Sequence, residues 1–275
     1  MNFSNAFQRL LAILQKPRTK AVYVERPSGA TLSGKIALIS GGTGGIGFAI
    51  AQAFSAEGCK CVLTSSSEAR LLSACRCLGG NVDSSVLDLT APESIEDRVQ
   101  ELVERFGCPD ILVNAAGIRA PAGGFMSLTP GDWDRVMSVN LKGPFFLSRC
   151  ICGKMIERGI RGHVLNISSA SALRPAWNVY EISKWGMNGF TKGLADSMVG
   201  KGIVVNAIGP GPVATPMLGW KPGDSIDHPS NPAGRWATPR EIADLAVYLV
   251  SGKADMIVGE TVYISGGGGT ISFHR

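Results

Sequence analysis

The stretch "SGGTGGIG" at residues 40–47 holds five glycines among eight residues, between the apolar run "KIALI" and the helix-like "FAIAQAF". Glycines in such a place let a backbone come close to a phosphate, and the N–H groups that open the next helix offer it positive potential. The spacing admits four readings. Starting at Gly42 it is G-x-G-x-x-G, the dinucleotide fingerprint; starting at Gly41 it is G-x-x-x-G-x-G, fixed at Gly41, Gly45 and Gly47. It is otherwise another kind of phosphate loop, or a flexible connection. A strand–turn–helix context argues against mere flexibility. A Walker loop needs Gly-Lys-Ser/Thr, and no lysine lies between residues 36 and 59. The G-x-G-x-x-G fingerprint expects an acid about 20 residues on, for the ribose hydroxyls. Ser65 stands there instead, in "TSSSE", so the loop alone leaves the two glycine spacings open.

Metal chemistry has less support. The seven cysteines include three C-x-C pairs, Cys59/Cys61, Cys75/Cys77 and Cys150/Cys152, but the histidines stand far from them in sequence at 163, 228 and 274. The first pair lies in a strand-like run where alternate residues share a face and pack, so buried, inert thiols are expected and no metal.

The elements that must carry the glycine loop alternate regularly. Strand-like runs fall at 35–40, 60–65, 84–89, 110–117, "HVLNIS" (163–168), "IVVNAI" (203–208) and "TVYIS" (261–265). Helix-like runs fall at 46–58, 94–107, about 131–157, about 179–199 and in the proline-started "PREIADLAVYLVS". Apolar strands separated by helix-length segments predict an α/β fold, a doubly wound parallel β-sheet with helices on both faces, over residues 34–275. The tail "SGGGGT" (265–270) reads as a loop.

Hydrophobic residues make up 45% of the 275 and charged ones 18%, which describes a folded globular chain. No apolar run approaches a membrane span. Of the net charge of +5, +4 falls in residues 1–33, so the rest is nearly neutral and a nucleic-acid surface on it is not expected. Residues 1–33 read as an N-terminal extension, an amphipathic helix with Phe3, Phe7, Leu10, Leu11 and Leu14 on one stripe and then a basic linker. It packs on the domain or on another subunit, docks on a membrane surface, or serves as a mitochondrial presequence. Free thiols without a secretory signal point to the cytoplasm, with mitochondria as the alternative.

Four further segments follow the glycine loop in order: "VNAAG" (113–117), "NISS" (166–169), "YEISK" (180–184) and "PGPVAT" (210–215). Together the five resemble the short-chain dehydrogenase/reductase family in its single-domain form, over about residues 34 to 270. That family's loop is T-G-x-x-x-G-I-G, which selects the second glycine spacing, with Ser40 in place of threonine. The resemblance implies the Rossmann fold and hydride transfer between a nicotinamide nucleotide and a carbonyl or alcohol carbon. It implies that Gly41, Thr43, Gly45, Ile46 and Gly47 wrap the pyrophosphate, with Ser65 and Ser66 near the adenosine ribose. Asp88, read as closing the third strand, and Leu89 meet the adenine. Asn114, Ala115 and Gly117 line the fourth turn beside the cofactor. Pro210, Gly211, Val213 and Thr215 hold the nicotinamide end.

For catalysis the resemblance points to Tyr180 as general acid/base. Lys184, four residues on and so on the same helix face, would lower the phenol's pKa through its ammonium and bond the nicotinamide ribose. Tyr180 is the only one of the four tyrosines with a lysine at that spacing. Ser169, preferred over Ser168, would polarise the substrate oxygen, and Asn140 resembles the helix asparagine that holds a relay water. The serines at 65–67 carry neither the aspartate of NAD-preferring members nor the arginine of many NADP-preferring ones. Hydroxyls accommodate a 2′-phosphate where a carboxylate repels it, which favours NADP over NAD. Gly44 lacks the basic side chain some NADP enzymes place in the loop, and Arg70 is a candidate to supply one. The substrate wall should come from Ile118, Arg119, Leu173, Arg174, Trp177 and the segment after Thr215, with its Met217, Leu218, Trp220 and Trp236. Either Arg119 or Arg174 could read a carboxylate or phosphate. Two narrower alternatives stand beside a general carbonyl/alcohol oxidoreductase: a 3-oxoacyl-(acyl carrier protein) reductase, and a non-catalytic nucleotide-binding regulator, against which Tyr180 and Lys184 both argue. A homotetramer formed through the long helices is the assembly the resemblance implies.

Overall fold

The computed structural model describes residues 30–123 and 125–270; the expected helix at the N-terminus lies outside them. Seven strands form one parallel sheet: β1 (Ile36–Ser40), β2 (Lys60–Ser65), β3 (Val82–Val86), β4 (Ile111–Asn114), β5 (His163–Ile167), β6 (Val204–Pro210) and β7 (Thr261–Ile264). Their order is β3-β2-β1-β4-β5-β6-β7. The helices are α1 (Gly45–Ala56), α2 (Glu68–Leu78), α3 (Ile95–Phe106), α4 (Pro130–Met137), α5 (Gly143–Glu157), α6 (Val179–Met198) and α7 (Pro239–Leu249). This is the expected doubly wound sheet.

Strand alternation builds two cores. Ala37 and Ile39 face one side of β1, against Ile50 and Phe54 of α1 and Ile242 and Ala246 of α7. Leu38 between them faces the other, against Val99 and Leu102 of α3, Leu147 and Ile151 of α5 and Met198 of α6. A strand buried on both faces has no polar position to spare, which is why these runs read as nearly continuous apolar sequence. Cys59 and Cys61 lie in the first of these cores with the aliphatic residues, both fully buried.

The order in which strands are added reverses about β1. β2 and β3 lie on one side of it and β4 to β7 on the other, so the loops leaving β1 and β4 diverge and open a crevice at their carboxyl ends. Ser40 pairs with Asn114 at that end, which places the glycine loop and the 114–117 turn side by side.

Three elements depart from the sequence expectations. The helix at Glu68–Leu78, unnamed in the sequence reading, follows β2 and is capped by Ser67, whose Oγ accepts the Arg70 N–H. β3 ends at Val86, so Asp88 lies beyond the strand. Its carboxylate turns back to accept the Thr90 N–H at 2.9 Å and hydroxyl at 2.8 Å, while Leu89 is buried beneath α5. The long helix at about 131–157 is broken by one π-helical turn at Ser138–Lys142. Pro144 has no N–H to give the Asn140 carbonyl, and the Gly143 N–H bonds to Ser138, five residues back.

Candidate active site

The glycine loop is held by its own backbone. Gly41, at φ +72°, donates its N–H to the Thr64 carbonyl, and its carbonyl accepts the Gly44 N–H. A Cβ on Gly41 would stand 2.6 Å from the Ala116 backbone, one on Gly45 2.6 Å from Thr215 Cγ2, and one on Gly47 would meet the Gly41 carbonyl. Gly41 and Gly47 therefore close the turn on itself, and Gly45 lets the loop after β6 touch the loop after β1. Gly44 is different: it is exposed, and a Cβ there would meet only the Gly41 carbonyl oxygen, at an ordinary 3.8 Å. It caps α1 without a side-chain hydrogen bond, and no acid sits in the helix's first turn. The first N–H groups of α1 are thus left without a side-chain cap where the loops after β1, β4 and β6 meet, and such a cradle fits a pyrophosphate.

Thr43, Ile46, Ala115 and Gly117 are partly buried around this opening, and the Ala115 N–H holds the Ser40 carbonyl. Ser65 and Ser66 end β2 beside it; Ser65 Oγ accepts the Ser67 N–H and Ser66 is exposed. On the far side, Gly211 donates to the Ile264 carbonyl and leaves no room for a Cβ against Ser265, which carries the Pro210–Gly211 turn over the end of β7. Val213 pairs with Ala237, and Thr215 is buried against Gly45. Asn114 does something the sequence did not indicate. Its buried amide donates to Ser148 Oγ at 2.9 Å and Asn166 Oδ1 at 2.8 Å, and Asn166 in turn donates to Thr191 Oγ1. This chain ties β4 and β5 to α5 and α6, so Asn114 fixes the turn from beneath.

The fold brings Tyr180, Lys184, Ser169 and Asn140 together. Asn178 caps α6 by accepting the Glu181 N–H, so Tyr180 lies in the first turn and Lys184 one turn further. Lys184 is buried, and its Nζ donates to the Ile167 carbonyl at 2.8 Å, 5.7 Å from the Tyr180 ring centroid. Burial draws its pKa down from 10.5 to about 8. The Tyr180 phenol, expected to be lowered by Lys184, instead lies above its ordinary value. Burial of the ring raises it most, the Ser169 hydroxyl and the Arg119 charge lower it, and Glu181 raises it slightly. Lys184 directs its ammonium at a main-chain carbonyl, which accounts for the difference.

The two candidate serines have different surroundings. Ser168 is buried and donates to Asn188 Oδ1 at 2.6 Å. Ser169 Oγ accepts from the Ser171 N–H at 3.1 Å and the Ser171 hydroxyl at 2.8 Å, and it stands beside the Tyr180 phenol, whose pKa it lowers. With both its lone pairs engaged, its own proton is the part left to give. Asn140, fully buried in the π turn, accepts the Ile118 N–H at 2.8 Å and donates to the Ile118 carbonyl and Ser183 Oγ, each at 3.0 Å. Ser183 bonds onward to the Tyr180 carbonyl at 2.6 Å. Ser171 and Ser183 join these networks without a role in the sequence reading; Ser183 lies inside "YEISK" and Ser171 two residues past "NISS".

Around the mouth, Trp177 and Met217 are about half exposed, while Trp220 and Trp236 brace their own loop. Trp220 Nε1 donates to the Asp224 carbonyl, and the Trp236 ring lies 5.7 Å from that of His228. Arg70 is exposed on α2. Among the described residues no helix is long and apolar enough to cross a membrane.

A family model described as enoyl-(acyl carrier protein) reductase matches residues 41–268. The chain is 34% identical to the 3-oxoacyl-(acyl-carrier-protein) reductase of Thermotoga maritima over 243 residues, 86% of this chain and 98% of that one. It is 36% identical to the galactitol 2-dehydrogenase of Agrobacterium fabrum over 253 residues, with the same shares covered. A variant of a Serratia marcescens short-chain dehydrogenase/reductase superposes with a TM-score of 0.78 at 32% identity, covering 88% of this chain and all of that one. The chain belongs to the short-chain dehydrogenase/reductase family and is an NAD(P)-dependent oxidoreductase.

Proposed function

We propose that the chain reduces a carbonyl to a secondary alcohol, or runs the reverse oxidation, with Tyr180 as general acid/base. The observation that carries this reading is the hydrogen-bonded pair Ser171–Ser169 next to Tyr180, with buried Lys184 and clamped Asn140 beside them. A nicotinamide nucleotide bound over the glycine cradle supplies or accepts the hydride. In reduction the carbonyl carbon gains that hydride while negative charge gathers on its oxygen, and Tyr180 delivers a proton to that oxygen. Ser169 donates a hydrogen bond to the same oxygen. A phenol held above its usual pKa is protonated at neutral pH, which suits the acid role. Lys184, fixed by the Ile167 carbonyl, keeps a cation beneath the site and a donor toward the nucleotide's ribose. Asn140 and Ser183 hold the Ile118 segment against the first turn of α6. Gly41, Thr43, Gly45, Ile46 and Gly47 cradle the pyrophosphate; Asp88 and Leu89 bound the adenine; and Ala115, Gly117, Pro210, Gly211, Val213 and Thr215 bound the nicotinamide end.

NADP is the favoured nucleotide. No carboxylate stands among Ser65, Ser66 and Ser67 at and just past the end of β2, and Gly44 carries no side chain to oppose a 2′-phosphate. The named relatives at near-equal identity act on a 3-oxoacyl thioester carrier and on galactitol, so the shared ground is the carbonyl/secondary alcohol pair, with 3-oxoacyl reduction as a specific case. The test follows the loss of reduced-nucleotide absorbance, NADPH and NADH in parallel, over keto sugars, 3-oxoacyl esters, steroids, quinones and diketones. Tyr180→Phe should abolish turnover with nucleotide affinity kept; near-normal turnover in that variant removes Tyr180 from the role. Nucleotide binding without turnover of any carbonyl would support the regulator instead.

A further inference from the structure

Both arginines near the mouth are candidates for meeting a negative charge, and their surroundings separate them. Arg174 accepts the Trp185 Nε1–H on its carbonyl at 2.9 Å, and its guanidinium lies along the C-terminal glycine turn, within 4 Å of where side chains of Gly268 and Gly269 would stand. Arg119 is exposed and forms no ion pair among the described residues, whereas Arg98, Arg149, Arg235 and Arg240 each hold a carboxylate.

The base of the Arg119 side chain is fixed all the same. It follows Ile118, whose N–H and carbonyl are both gripped by Asn140. Gly117, just before, stands with its open face 3.6 Å from Asn140 Oδ1 and 3.7 Å from Lys184 Nζ, measured from the position a Cβ would take. Arg119 thus leaves the chain two residues after the glycine that borders the Lys184 ammonium, and its charge lowers the Tyr180 pKa. Past it the chain turns apolar, with Ala120, Pro121, Ala122 and the 70%-exposed Phe125 closing against Asn178 at the head of α6.

We propose that Arg119 recognises a carboxylate on the substrate, so that the compound reduced is an oxo acid with an apolar remainder, its carbonyl a few bonds from the carboxylate. This rests on the Tyr180 reading. A guanidinium offers a fork that matches a carboxylate with two parallel hydrogen bonds. One guanidinium carries one positive charge, which the single charge of a carboxylate balances.

The experiment uses the protein saturated with reduced nucleotide and compares acetoacetate with its uncharged ethyl ester, by tryptophan fluorescence for binding and nucleotide absorbance for turnover. The acid is expected to bind and react about tenfold to a hundredfold better than the ester, the range of one charge-assisted contact. Arg119→Gln should collapse that ratio toward one, and Arg119→Lys should restore part of it. In Arg119→Gln the ionisation limb of the phenol should also move to higher pH, since a nearby cation has gone; a merely structural arginine would leave it in place. An acid that binds no better than the ester, or a ratio unchanged in Arg119→Gln, overturns the proposal. Near-native turnover of the acid by Tyr180→Phe would overturn the Tyr180 reading itself, so the two failures are told apart.

Discussion

Lys184→Met should make the protein inactive and, relative to the native chain, more stable at neutral pH than at alkaline pH. The ammonium is buried with one hydrogen bond, to the Ile167 carbonyl, and its pKa falls from 10.5 to about 8. At about pH 7 the lysine is charged both folded and unfolded, and holding that charge in the interior costs about 3 kcal/mol at roughly 1.4 kcal/mol per pKa unit. Between the two pKa values the folded chain binds fewer protons than the unfolded one, so stability rises with pH across that window. Raising the pH from about 7 to about 9.5 should return about 2 kcal/mol to the native chain and nothing to the methionine variant. Methionine matches the length of the lysine stem, and whatever the lost hydrogen bond costs is the same at both pH values. The assay is thermal or urea unfolding of both proteins, without nucleotide, at several pH values. The native-minus-variant stability should climb by that amount, a differential shift in Tm of roughly 4–6 °C. A difference flat across this range would mean that the ammonium is not held in a low-dielectric site.

Three other outcomes follow from the same contacts. Ser171→Ala removes a donor that engages Ser169 Oγ, so kcat should fall about fivefold, the worth of one hydrogen bond of about 1 kcal/mol, with KM for nucleotide unchanged; steady-state kinetics check it. Arg235 grips Glu241 with both carboxylate oxygens and Glu241 also caps α7 through Thr238, which holds the Glu241 pKa at about 2. That contribution is present above the ordinary carboxylate pKa and is lost as pH falls toward 2; because the pair is part-exposed, Glu241→Gln should lower stability by no more than about 1 kcal/mol at neutral pH, and acid titration of Tm should be flatter in the variant. Phe145 of α5 is 46% exposed with its ring 5.1 Å from that of Phe190 on α6, and we propose that this aromatic pair lies in the interface of a homotetramer. Phe145→Glu should lower the solution mass measured by light scattering, and a native mass near one chain of 28.9 kDa would refute the assembly.

The parts of this protein that could be read from its sequence are those whose physical demand is local. β2 is bounded as expected because a strand buried on both faces must be apolar from end to end. The glycine loop is visible because close backbone contacts leave no substitute for glycine at Gly41 and Gly47. Helix α2 escaped notice because it buries only Leu71 and Ala74, too thin a stripe to show a period. The π turn left a legible signal, Pro144 inside a helical run, since a proline withholds the N–H that the Asn140 carbonyl needs. What could not be read is the ionisation of the site. Lys184 sits one helical turn from Tyr180, and from sequence that spacing means an ammonium lowering a phenol. The fold turns the ammonium to the Ile167 carbonyl, buries the ring, and sets against it a serine 11 residues upstream and an arginine 61 residues upstream. Spacing along a helix says which side chains can meet, but the dielectric around them is set by every element packed above, and it decides which proton stays.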